Sequence, residues 1–176
     1  TSYIGSMGQG NNSQRIKTLL KKEKIDCSFI QSCKGRTGFS IILDAQGHER
    51  TILVFKGNND NLEFNQINQS KLKTKWFYFS AMLNQSLKTQ IKLAQYAKKH
   101  HIKIAYNPSS YLAKKGVKLI KPILEKTNLL ILNREEAEYL VKGKNIKDIL
   151  KNLKKLGPEI AIVTEGDTQV KAIADH

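Results

Sequence analysis

The feature that most constrains this chain is the alternation that begins near Lys75. "KWFYFSA" is an apolar, aromatic strand, and "SLKTQIKLAQYAKKH" follows it with Leu87, Ile91, Ala94 and Ala97 at helical spacing. "IKIAYN" reads as a strand, and "SSYLAKKGVKLIKPILEK" as a helical segment interrupted near Gly116 and Pro122. "NLLILN" is a further strand, followed by the helix "REEAEYLV". "NIKDILKNLKKLG" places Ile146, Ile149, Leu150, Leu153 and Leu156 on one face and stops at Gly157-Pro158, after which "EIAIVT" is the next strand. Strands apolar on both faces, each followed by a helix, predict an α/β fold with a mainly parallel sheet covered by helices.

The first third of the chain is built differently. "YIGSM" reads as a strand and "NSQRIKTLLKKEKI" as a helix with Ile16, Leu19 and Leu20 inward. "RTGFSIIL", the polar turn "DAQGHE" and "RTILVFK" then make two consecutive strands, which is a hairpin and not a parallel crossover. It is expected to form a small lid or edge flap over about residues 36–56, beside the main sheet. "KGNNDN" is the most loop-like linker, and 176 residues suit one domain.

Composition narrows the function classes. No apolar run approaches the roughly 20 residues needed to cross a bilayer, and "TSYIGSMGQG" lacks the charged start and long apolar centre of a signal peptide. Cys27 and Cys33 have neither a second pair nor a neighbouring histidine, so free thiols and a soluble, cytoplasmic setting with no membrane are expected. The net charge of +15 invites a nucleic-acid reading, yet only Arg15, Arg36, Arg50 and Arg134 carry the bidentate guanidinium that such recognition favours. The lysines fall mainly on the polar faces of several helices, as in "LKKEK", "AKKHH" and "LKNLKK". No specific nucleic-acid partner is expected, and a functional polyanion surface is the alternative.

Four short features fall in order along the chain. The hairpin is closed by Gly57-Asn58-Asn59, "YNPSS" and "NREEA" each sit at a strand end, and in "VTEGDTQV" a strand runs into Thr164 and a glycine turn. Ligands of parallel sheets bind at the carboxyl ends of strands, where loops and helix amino-termini converge.

Together these features resemble the ribokinase-like, or PfkB, sugar and nucleoside kinases. The middle section of that family runs through a "TG.S" lid strand, a "G.ER" turn, a "GAN..L" segment, a strand ending in "NP", an "N.EEA" motif and a "VT.G..G" turn. They appear here as Thr37-Gly38-Phe39-Ser40, Gly47-His48-Glu49-Arg50, Gly57-Asn58-Asn59 with Leu62, Asn107-Pro108, Asn133 to Ala137, and Val163-Thr164-Glu165-Gly166. Order and spacing over almost the whole chain carry the resemblance, and "NREEA" is its strongest element.

The resemblance implies a three-layer ribokinase-like core formed by about residues 1–31 and 62–176, and ATP-dependent phosphorylation of a sugar or nucleoside hydroxyl. Asn133 and Glu136 would lie near the nucleotide's phosphates, with Glu136 helping to hold Mg2+, often through water. Thr164 and Gly166 would frame the nucleotide-binding turn. Gly38, Phe39, Ser40, Asn59 and Asn107 would belong to the lid and substrate side, and the lid allows a homodimer. Each assignment has a plainer reading beside it. Asn133 with Glu136 is also the N-cap and N3 pair of a capping box, Asn107 suits the residue before a proline, and Thr164 fits an ordinary strand-end turn.

Two departures stand against the family pattern. Its catalytic aspartate lies in a "GAGD" segment that these residues do not contain, so the base is expected beyond His176 and the chain is expected to be the central portion of a longer, active kinase. The opening "vG..G.D..G" element appears as "YIGSMGQGNNS", with Gln9, Gly10 and Ser13 in place of the usual acidic and glycine residues. Gln169 also replaces the second glycine of the "VT.G..G" turn. A non-catalytic ligand-binding or regulatory protein on the same fold is the alternative function.

Overall fold

The computed structural model describes residues 1–44, 51–165 and 169–174. They form two compact units, Thr1–Lys71 with Leu83–Thr89, and Leu72–Met82 with Gln90–His176.

In the first unit, β1 (Gly5–Met7) pairs in parallel with β2 (Ile30–Ser32), and α1 (Asn11–Lys22) lies between them in the chain. Ser13 is the one buried residue of α1. Leu20 is half-buried, whereas Ile16 is exposed and Leu19 is 60% exposed, so the inward face expected from the helical spacing is not covered among the described residues. The period of the pattern shows which face of a helix is apolar, not whether another element packs on it.

The hairpin forms as expected. β3 (Phe39–Leu43) and β4 (Thr51–Phe55) pair antiparallel as a sheet of their own, from Phe39 opposite Phe55 to Leu43 opposite Thr51. The "G.ER" turn at Gly47, His48, Glu49 and Arg50 lies outside the described residues. The loop-like linker is more ordered than its composition suggests, with 3-10 turns at Gly57–Asp60, Phe64–Gln66 and Gln69–Lys71. It is tied to the start of α2 (Asn84–Lys99): the Ser86 hydroxyl receives the Leu62 N–H at 2.9 Å and donates to the Asn59 carbonyl at 2.7 Å, while the Thr89 hydroxyl donates to the Leu62 carbonyl at 2.6 Å.

The second unit is built on a five-stranded sheet of β5 (Trp76–Phe79), β6 (Lys103–Tyr106), β7 (Leu129–Asn133), β8 (Ile160–Glu165) and β9 (Gln169–Ala174), in that order. The first four are parallel, and β9 runs antiparallel to β8. The connecting helices are α3 (Ser109–Lys114), α4 (Val117–Leu124), α5 (Arg134–Leu140) and α6 (Ile146–Lys154). The helical segment breaks at Gly116 but not at Pro122, which sits inside α4. Ile120, Ile123 and Leu124 are fully buried, and their packing holds the turn despite the hydrogen bond that a proline removes.

Burial in this sheet is one-sided. Phe79, Tyr106, Leu130 and Ala161 form a buried row, whereas Trp76, Tyr78 and Ile160 on the opposite face are exposed. The continuous apolar strands predict a sheet covered on both faces; among the described residues one face is buried, and on the other Ala105, Leu129, Ile131 and Ile162 are half-buried.

Candidate functional site

The strand ends position the candidate residues. β7 ends at Asn133, whose extended backbone makes it the N-cap of α5, and its side-chain oxygen accepts the Glu136 N–H at 2.8 Å. Glu136 reaches back, and its Oε2 accepts the Asn133 N–H at 3.0 Å. The capping-box reading is therefore met in full. The other carboxylate oxygen, Oε1, accepts the Ser110 hydroxyl of α3 at 3.2 Å. Glu136 is only 6% exposed, and the two hydrogen bonds to its carboxylate fix its orientation.

Thr164 is the register partner of Asn133 across β7 and β8, so Asn133, Glu136 and Thr164 lie side by side at the carboxyl ends of two adjacent strands. Asn107 follows β6. Its side-chain oxygen accepts the Ser109 N–H at 2.8 Å, which turns the chain into α3 and brings Ser110 to Glu136. The role of Asn107 seen here is thus to shape the turn. Gly166 lies outside the described residues.

Charge around this strand end is mixed. Arg134 pairs with Glu138 at 2.9 Å and closely with Glu165, and those two carboxylates hold its guanidinium charged to still higher pH than usual. Glu135 is drawn to Lys114 at 3.7 Å. Among the described residues no group of three or more His, Cys, Asp or Glu side chains could hold a metal unaided. One buried carboxylate does suit magnesium, which keeps several waters and completes its shell with phosphate oxygens.

In the first unit the lid candidates divide. The Asn59 side chain lies over Gly38 and accepts its N–H at 3.4 Å, and a Cβ on Gly38 would come within 2.5 Å of the Asn59 amide nitrogen. Gly38 and Asn59 thus belong together at the base of the hairpin. Phe39 and Ser40 point to opposite faces of β3, with the Phe39 ring 5.3 Å from that of Phe55.

Sequence reasoning missed Ser110, the Arg134 bridge to Glu165, and the hydrogen bonds around Thr37 and Asn58. The first leaves a faint signal in the serine pair after Asn107-Pro108 at a strand end. The others join residues far apart in the chain and leave none.

A mostly parallel α/β sheet with its polar residues at the strand ends, together with a small antiparallel hairpin, is the architecture of the ribokinase-like proteins. The chain belongs to the PfkB family of carbohydrate kinases, whose family model matches residues 1–173. An uncharacterized sugar kinase of Archaeoglobus fulgidus is 23% identical over 171 residues, covering 94% of this chain and 66% of that protein. A putative ribokinase II from E. coli, solved in complex with ATP and Mg2+, superposes with a TM-score of 0.85 at 14% identity, covering 98% of this chain and 59% of that one. Adenosine kinase from Schistosoma mansoni, in complex with 2-fluoroadenosine, gives a TM-score of 0.82 at 15% identity, covering 99% of this chain and 59% of that one. The chain therefore spans about three fifths of the length of these solved relatives.

Proposed function

We propose that this chain is the central portion of an ATP- and magnesium-dependent kinase that phosphorylates a hydroxyl of a sugar or nucleoside. The observation that carries the reading is the Asn133–Glu136 pair, held beside Thr164 at adjacent strand ends in a chain of the PfkB family. Asn133 and Thr164 serve the nucleotide's phosphates, and Gly166, outside the described residues, is assigned to the same turn. Glu136 holds hydrated magnesium through lone pairs left over from its two hydrogen bonds, and the metal supplies charge neutralisation on the transferring phosphate. The hairpin, with Gly38, Phe39, Ser40 and Asn59, acts as the lid on the acceptor, with Asn107 on the substrate side. A closed lid keeps water from competing with the acceptor hydroxyl.

The catalytic base is the aspartate of a "GAGD" segment outside these residues, so the 176 residues alone are inactive. Two copies pair through their hairpins. Cys27 and Cys33 are free, which suits a cytoplasmic setting, and no helix among the described residues is long and apolar enough to cross a membrane.

The test is an assay of the full-length protein with ATP, magnesium and a panel of pentoses, hexoses, sugar acids and nucleosides. Phosphorylation of one acceptor class, abolished by chelation of magnesium, is the expected result. Tight nucleotide or sugar binding with no transfer to any acceptor would overturn it in favour of a binding or regulatory protein.

A further inference from the structure

Among the described residues the hairpin is tied to the rest of the first unit by hydrogen bonds at its base, and two residues there depart from the family pattern: Ser13 stands where the pattern has a glycine, and Asn58 where it has an alanine. Both are buried, and both are fully engaged. The Gly8 N–H donates to the Thr37 hydroxyl oxygen at 2.9 Å, the Ser13 hydroxyl donates to the Gly8 carbonyl at 2.6 Å, and the two hydroxyl oxygens lie 2.6 Å apart. Ser13 has a single hydroxyl proton, and the Gly8 carbonyl takes it, so the proton between the hydroxyls is that of Thr37. The result is a closed circuit, Gly8 to Thr37 to Ser13 and back to Gly8, in which each hydroxyl gives one hydrogen bond and accepts one. A Cβ on Gly8 would collide with the backbone of Gly35, Arg36 and Thr37, so the incoming leg of the hairpin lies flat on this residue.

The outgoing leg is tied in turn. The Asn58 side-chain amide donates to the Lys34 carbonyl at 2.9 Å and to the Arg36 carbonyl at 3.3 Å, its backbone N–H donates to the Arg36 carbonyl at 3.0 Å, and its own carbonyl accepts the Ser6 hydroxyl. Beyond these ties every residue of β3 and β4 is exposed. The pose of the hairpin is therefore decided at its base.

We propose that Ser13 and Thr37, with Asn58 bracing the second leg, form a latch that fixes the hairpin over the β1–α1 loop, and that they are positioning residues for lid closure. The closure role rests on the reading of the hairpin as a substrate lid; the latch itself does not.

The experiment compares Thr37→Val, Ser13→Ala and Thr37→Ser with the parent in the full-length protein. Thr37→Val keeps the shape and breaks the circuit, whereas Thr37→Ser keeps the hydroxyl. Amide hydrogen exchange of residues 39–43 and 51–55 should quicken about tenfold in Thr37→Val and Ser13→Ala, on the scale of one or two lost buried hydrogen bonds. Exchange in β6, β7 and β8 should stay at the parent rate, and Thr37→Ser should behave as the parent. Unchanged hairpin exchange, or an equal rise throughout the chain, would overturn the latch. The same variants should raise the ratio of ATP hydrolysed to acceptor phosphorylated, because a loosened lid admits water. Faster hairpin exchange in a protein that phosphorylates no acceptor would uphold the latch and sink the kinase reading, so the two failures are distinguishable.

Discussion

At Glu136 one side chain caps a helix and, on the proposed reading, also holds a hydrated metal, and two substitutions separate the roles. Glutamine at this position can still accept from Asn133 N–H, because either residue closes a capping box. Glu136→Gln should leave Tm within about 1 °C of the parent and raise the magnesium concentration needed for half-maximal turnover of the full-length protein about tenfold, the scale of a disturbed metal shell. Glu136→Ala should in addition cost about 1 kcal/mol, or about 2–4 °C in Tm. Equal magnesium titrations for Glu136→Gln and the parent would leave Glu136 with the capping role alone. Tyr106 offers a second test, in its pH dependence. Its hydroxyl is buried with no hydrogen-bond partner among the described residues, and burial pushes the phenol's pKa above its ordinary value. The folded state therefore favours the protonated phenol, and the stability this maintains at lower pH is lost as pH rises above about 10, where the unfolded phenol ionises. Tyr106→Phe should remove that part of the alkaline slope in denaturant melts, and near neutrality it should be neutral or stabilising, since an unsatisfied buried polar atom costs about 1–3 kcal/mol. A clear loss of stability at neutral pH would mean that the hydroxyl has a partner.

Among the elements, the hairpin is the least self-sufficient, because a two-stranded sheet exposed on both faces is marginal in water. Phe39, Ile41 and Leu43 share one face with Leu53 and Phe55, and Ile42, Ile52 and Val54 lie on the other, so one face can serve the acceptor while its opposite packs on a second copy. Leu53→Lys should shift the full-length protein from dimer to monomer in sedimentation at micromolar concentration. A parent that is already monomeric there would exclude the hairpin dimer. The hairpin was legible in the sequence because a polar turn between two apolar runs is a local signal. So was the capping box, whose two members are three residues apart. The outward turn of Ile16 and Leu19 in α1 was not, since amphipathic spacing carries no information about partners distant in the chain. The persistence of α4 through Pro122 was hidden for the same reason: fully buried Ile120, Ile123 and Leu124 override a local preference that taken alone favours a break.

For the molecule as a whole, the parallel order of β5 to β8 followed from the strand–helix alternation, which leaves few alternatives once each crossover needs a helix. The Ser13–Thr37 contact and the Asn58 clamp could not be read, because each joins residues more than twenty positions apart and nothing in the sequence pairs their motifs. The same separation of local from distant contributions governs what these 176 residues can do by themselves. They hold the candidate residues for phosphates and magnesium, Asn133, Glu136 and Thr164, but not a "GAGD" segment. A general base contributes about two to four orders of magnitude to such a reaction, and a preorganised anion hole about two to three more. With both outside these residues, as proposed above, phosphoryl transfer by the purified 176-residue chain should fall at least about four orders of magnitude below ordinary kinase rates of about 1–100 s⁻¹, below detection in a coupled assay with ATP, magnesium and the acceptor panel. Turnover at ordinary rates from the 176 residues alone would mean that a base lies among them, and the placement of the catalytic aspartate outside this chain would then be wrong.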